Sequence, residues 1–383
     1  MRPDWTDLPA DTLPIISEKA CSTNLQYFNL RMVCKTWWSA LAPRPQHLRR
    51  GPWLMLPRPP NDVCHDIGID HSDLSFFDLF TSQTHQFHLP FISDKYICGS
   101  SRGWLALEHD HRVTLLNPIT GSSIALPSFD RTILRVATSK RKRSVCANQH
   151  EQYTLCVYKV TFSCNPSEPG CVVVAWFLSS DWDLGFCRVG DTHWTGLKKR
   201  EYLGSGLLDF IFHNNMVYTI NQRKEVSVYD IQDLSVRKFS SKINFNGLHD
   251  RVNLVEGGAV SGEPFVVIKT ENHGKTKVVV HKWFDDRQQW RRVRDIGKRV
   301  VFLGRSHCIS MHSINMQLEE QGERRRESEI FYGVRCPLNI VSFKVGINRV
   351  NLESGTDVPH NPSPLEVFSS VSGYGMWFTP SLI

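Results

Sequence analysis

The sequence lacks any apolar run long enough to cross a membrane. The longest, "CVVVAWFL" from Cys171 to Leu178, falls far short of the roughly 20 residues a spanning helix needs and suits a buried strand. No C-x-x-C pair occurs among the 11 cysteines, so the paired ligand spacing of a zinc module is missing. The N-x-S/T pattern occurs only at Asn165 and Asn361, and the proline after each blocks glycosylation. The opening "MRPDWTDLPADTLP" has no continuous apolar segment behind a basic start, which disfavours a secretory signal. Together these absences lead us to expect an intracellular protein, in the nucleus, the cytoplasm or both, with no membrane partner.

What is present suits a packed core: 41% apolar and 11% aromatic residues over 383 positions. The net charge of +7 is clustered, at Lys140, Arg141, Lys142 and Arg143, at Arg291–Arg294 ("RRVR") and at Arg324–Arg326. The run at 140–143 is a candidate nuclear localisation signal. None of the clusters has aromatics interleaved for base stacking, so nucleic acid is disfavoured as a partner.

Residues 1–45 carry helical spacing. Leu13, Ile16 and Ala20 fall on one side of a first helix, and "TNLQ" at Thr23–Gln26 is a capping box for a second. Leu30, Val33, Trp37, Ala40 and Leu41 form an apolar stripe on that second helix, which Pro43 and Pro45 end. So short a unit rarely buries enough surface alone. Its stripe needs a cover, either the rest of the chain or a partner.

After a linker at 46–65, short β-branched and aromatic runs alternate with turn formers through 66–383. "GWLALEHDHRVTLLNPITGSSIALP" (Gly103–Pro127) reads as a three-strand meander, and the theme returns at Leu184–Leu197, Asp209–Ile231 and Lys277–Val293. Trp194 and Trp290 hold matching places, about two repeats of 45–50 residues apart, the period of Kelch and WD blades. The expected fold is mainly β with a small all-α N-terminal module, the β part a propeller of six or seven blades; a pair of β-sandwiches is the alternative. The apolar end "GYGMWFTPSLI" suits a terminal strand that closes the ring on the first blade.

Catalytic patterns are weak. "GSSRG" satisfies G-x-S-x-G with Ser101, but strand-like rather than helical sequence follows it, against the requirement of a nucleophile elbow. Cys64, His65 and His71, or His109 and His111, could be imagined as metal ligands, and Cys164 and Cys171 as a disulfide; none has distinctive spacing. "GSG" at Gly204–Gly206 matches neither a dinucleotide fingerprint nor a phosphate loop. We expect no enzyme activity, cofactor or resident metal.

With both zones in view, the chain resembles plant F-box proteins with a C-terminal Kelch-like domain, of the SKIP and KIB type. The F-box part rests on Leu8, Pro9, Asp11, Leu13, Ile16, Val33, Cys34, Lys35 and Trp37; the rest on "GSSRGWLAL", "LLNPITGSSIALP", "FCRVGDTHWTGL" and "MWFTPSL". Thr12, Ala20 and Trp38 depart from the usual residues. The resemblance implies the substrate-recognition subunit of a Skp-cullin-F-box ubiquitin ligase. Leu8, Pro9, Leu13, Ile16, Val33, Cys34 and Trp37 would then meet a Skp-type adaptor, and through it cullin and RING subunits. The propeller would hold an unknown protein substrate, with Arg135, the 140–143 run and the loops near Asp181 and Trp182 as candidate contacts. The alternative is a propeller scaffold whose degenerate F-box no longer binds the adaptor.

Overall fold

A computed structural model describes residues 5, 8–43, 45, 47–48, 51–56, 72–79, 81–129, 157–177, 182–198, 206–232, 236–243, 251–257, 262–272, 275–284, 289–297, 299–304, 307–312, 328–337, 342–352, 357–359, 365–368 and 376–381. Three short helices come first: α1 (Thr12–Ala20), α2 (Asn24–Arg31) and α3 (Lys35–Ala40). The capping box forms as expected. Thr23 accepts from the Gln26 backbone while Gln26 Oε1 accepts from the Thr23 backbone.

The single helix expected from Thr23 to Leu41 is two. Met32 leaves the helical backbone, and Cys34 starts α3 by accepting from the Trp37 N–H through its sulfur at 3.5 Å. The stripe runs unbroken through this corner, with neither glycine nor proline to mark it.

Six sheets follow. The first blade uses β1 (Trp53–Met55), β2 (Asp73–Asp78) and β3 (Gln83–His88). The second is β4 (Tyr96–Ser101), β5 (Trp104–His109), β6 (Arg112–Leu116) and β7 (Ser123–Ser128); the third is β8 (Val157–Phe162), β9 (Val172–Phe177), β10 (Trp182–Arg188) and β11 (Thr195–Lys198). The fourth is β12 (Leu207–His213), β13 (Met216–Asn221), β14 (Glu225–Asp230) and β15 (Val236–Lys242); the fifth is β16 (Arg251–Val255), β17 (Phe265–Asn272), β18 (Lys275–Phe284) and β19 (Gln289–Val293). The sixth holds β20 (Arg299–Leu303), β21 (Ile309–His312), β22 (Ser328–Pro337), β23 (Ser342–Asn351), β24 (Asp357–Pro359) and β25 (Leu365–Phe368).

The terminal strand β26 (Met376–Phe378) pairs antiparallel with β1, Trp377 opposite Leu54. It closes the ring into a six-bladed propeller, as the apolar C-terminal sequence suggested. Strand β1 lies inside the span expected to be a linker. The sixth blade is irregular: β20 pairs in parallel with β22 where the other blades are antiparallel meanders.

Polar groups tie each blade to the next. Ser100 Oγ donates to the Trp377 carbonyl and the Val157 N–H to Glu108 Oε2 at 3.0 Å; Lys159 Nζ reaches Asp209 Oδ1 at 2.7 Å, and the Leu254 N–H donates to Asp209 Oδ2 at 2.7 Å. Arg251 donates to the Gly304 carbonyl at 2.9 Å and Trp377 Nε1 to the Leu303 carbonyl at 3.0 Å, which completes the circuit. Each bond satisfies a group that burial would otherwise strand. Trp194 directly precedes β11 and Trp290 lies in β19, the outermost strands of their blades. Trp194 donates to the Pro127 carbonyl across the second and third blades.

Candidate functional site

The helices possess their own core. Leu13, Cys21, Tyr27, Phe28, Trp37, Leu41 and Leu48 are buried together, and Ile119 of the second blade packs against them as well as against the blade core that also receives Leu25. Tyr27 donates to the Ala42 carbonyl at 2.7 Å and Trp37 Nε1 to the Trp5 carbonyl at 3.2 Å. Arg31 is buried; its Nε donates to the Leu41 carbonyl at 3.1 Å, and its guanidinium lies 3.9 Å from the Trp38 ring centroid. Burial pushes the Arg31 pKa down. The departure at Trp38 thus has a structural role, as an aromatic cover for a cation drawn inside.

This core divides the residues expected to meet an adaptor. Leu13 and Trp37 are inside it, Leu8 and Cys34 lie half-buried against it, Ile16 is half-buried, and Pro9 and Val33 are exposed. Val33 is 56% exposed, and other large apolar side chains of this region that spacing does not single out are exposed too: Trp5 at 64%, Ile15 at 55% and Met32 at 39%. Ile15 stands off the periodic stripe, and spacing alone places Met32 in mid-helix. An isoleucine beside the stripe residue Ile16 was the available signal. Thr12, another departure, is spent at the start of α1, where its hydroxyl donates to the Pro9 carbonyl at 2.7 Å.

The remaining candidates fare variously. Ser101 ends β4, and the turn at Arg102 and Gly103 leads into β5 rather than a helix. Gly103 has φ +84, and a Cβ there would lie 2.5 Å from Ser381 Cβ, so glycine serves a tight hairpin against the chain end. His109 faces Asp94, with Nε2 3.4 Å from Oδ2, while His111 occupies the next hairpin turn at φ 60. Cys164 and Cys171 are free thiols, with Ser163 Oγ 3.7 and 4.0 Å from their sulfurs. Burial raises Cys171 to about 11. Cys64, His65, His71, Arg135, the 140–143 run and Asp181 lie outside the described residues, as does the side chain of Trp182. Among the described residues no group of three or more His, Cys, Asp or Glu could hold a metal ion, and no helix is long and apolar enough to cross a membrane.

A three-helix module with exposed apolar side chains, set before a six-bladed propeller, defines the class: a mainly β protein in which a short helical module precedes a closed ring of blades. The chain belongs to the KIB1-4 beta-propeller family, whose model matches residues 76–321. It is distantly homologous to plant F-box/kelch-repeat proteins. An Arabidopsis thaliana F-box/kelch-repeat protein is 24% identical over 323 residues, covering 80% of this chain and 78% of its own. F-box only protein 7 of the same plant is 24% identical over 324 residues, 77% of each chain. Among solved structures, the N-terminal domain of Nup159 matches over 80% of this chain and 73% of its own, with 9% identity and a TM-score of 0.31. So loose a likeness adds nothing to the fold or function.

Proposed function

We propose that the chain is the substrate-recognition subunit of a Skp-cullin-F-box ubiquitin ligase, acting in the nucleus, the cytoplasm or both. The reading divides the chain into an F-box module at 1–45 and a propeller completed by the remainder. The observation that carries it is the exposed set of Ile15 on α1 and Met32 and Val33 at the corner between α2 and α3, in a module whose core is already filled. Burial of such side chains by a partner stabilises a complex by roughly 1.5–3 kcal/mol each. Pro9 and the half-buried Leu8, Ile16 and Cys34 border the docking surface, while Leu13 and Trp37 hold its shape. The homology to F-box proteins agrees with a Skp-type adaptor as the partner.

Such a subunit performs no covalent chemistry itself. It raises the effective concentration of a client lysine beside a ubiquitin-charged conjugating enzyme by tethering both to one scaffold. Reconstitution with adaptor, cullin, RING subunit, ubiquitin and its activating and conjugating enzymes tests the reading. The expected result is a stable four-protein assembly that ubiquitinates its own receptor chain. A folded chain that stays out of the assembly would instead favour the scaffold with a degenerate F-box.

A further inference from the structure

The basic run Arg291–Arg294 lies outside the helical module. In the fold it forms most of β19 and the residue beyond it. Strands β15 and β19 are the outermost of neighbouring blades and lie against each other. Strand β15 carries Arg237, Lys238 and Lys242, β18 carries Lys275, Lys277 and Lys282, and β19 carries Arg291 and Arg292, with Arg294 following; none of the three strands contains Asp or Glu.

We propose that the outer edges of the fourth and fifth blades form a docking surface for a carboxylate-rich polypeptide segment. Folding alone does not account for these charges. Lys282 stands directly opposite Arg291, and like charges in such positions destabilise a sheet. Lysines on an edge strand can guard against aggregation, but that need applies to every blade. The outer strand β7 has no charged residue, β3 no lysine or arginine, and β11 one lysine. Lys242, Lys277, Lys282, Arg292 and Arg294 are exposed to solvent. Glu225 faces Lys242, Asp285 and Asp286 lie in sequence between β18 and β19, and Asp295 follows Arg294; the nine cations still outnumber these four acids.

An extended polypeptide fits better than nucleic acid. The outer edge of β19, unpaired among the described strands, offers backbone groups to an added strand, while Trp283 and Trp290 turn to each other with centroids 5.6 Å apart. No aromatic ring among the described residues of these strands is exposed as a stacking platform. As the seat of a ubiquitination client the surface rests on the receptor reading above. The binding itself requires no adaptor, so the two fail separately.

The test is fluorescence anisotropy of a labelled oligo-glutamate peptide with the full chain, at low and physiological salt. The expected result is binding that weakens with salt and that falls about tenfold or more in Lys282→Glu/Arg292→Glu/Arg294→Glu. The glutamine triple variant should be intermediate, and both must keep the native circular dichroism and melting temperature. No peptide binding, an affinity unchanged by reversal, or tighter binding of a single-stranded oligonucleotide of equal charge would each overturn the proposal.

Discussion

Lys159 and Asp209 form a buried ion pair across two blades. The ammonium lies 2.7 Å from Asp209 Oδ1 and 2.7 Å from the Phe210 carbonyl, while the second carboxylate oxygen accepts from the Leu254 N–H at 2.7 Å. One carboxylate therefore binds the third, fourth and fifth blades. Asp209→Ala leaves a buried cation without its counter-ion and should cost about 3–5 kcal/mol, read by urea unfolding. A Lys159→Met/Asp209→Leu double variant removes both charges and should cost clearly less than the single change. Equal losses in both would deny the pair this role.

Ring closure depends on Trp377. It is fully buried, donates to the Leu303 carbonyl and packs 5.0 Å from Phe302. Trp377→Phe should cost on the order of 1 kcal/mol for the lost hydrogen bond, and Trp377→Ala about 3–5 kcal/mol through the cavity. Thermal melts of both variants give the order directly.

Acid should loosen the propeller. Burial pushes His307 down to about 3, with Lys159 and Arg102 adding to it; burial also lowers His85, against Asp78, and His281, where Arg292 assists. These rings take up protons less readily in the fold than in the unfolded chain, where they do so near pH 6.5. The unfolded state then binds more protons, so their contribution is fully present above pH 6.5 and is lost progressively as pH falls toward the folded values. Melting temperature should drop from pH 7 to pH 5, and His307→Asn should flatten part of that slope. The raised pKa of Glu256, caused chiefly by burial, works in the opposite direction and is controlled with Glu256→Gln.

Much of the fold was legible because it is written in alternation and turns. The meander from Gly103 to Pro127 appears as β5, β6 and β7, and Trp194 and Trp290 mark the outermost strands of their blades. Strand β1 was missed because Trp53, Leu54 and Met55 are all buried and show no alternation. The corner at Met32–Cys34 was hidden by a continuous apolar stripe. In the helical module, spacing marked the apolar stripe but could not separate Trp37, which faces inward, from Val33, which faces solvent. That difference depends on the corner itself.

The separation makes a prediction for stability. Trp37→Ala or Leu13→Ala should melt the helical module at a cost of about 2–5 kcal/mol, whereas Val33→Asp should change stability by less than about 0.5 kcal/mol. Hydrogen exchange of the α1–α3 amides distinguishes the two outcomes.

The most direct measurement is the dissociation constant of the full chain for a Skp-type adaptor, native against Ile15→Asp/Val33→Asp, with circular dichroism to verify folding. We predict that the native chain binds and that the folded variant loses at least about a hundredfold in affinity, two exposed apolar contacts being removed and two charges introduced. Equal affinity in the two proteins, or a folded native chain that does not bind, would contradict the account.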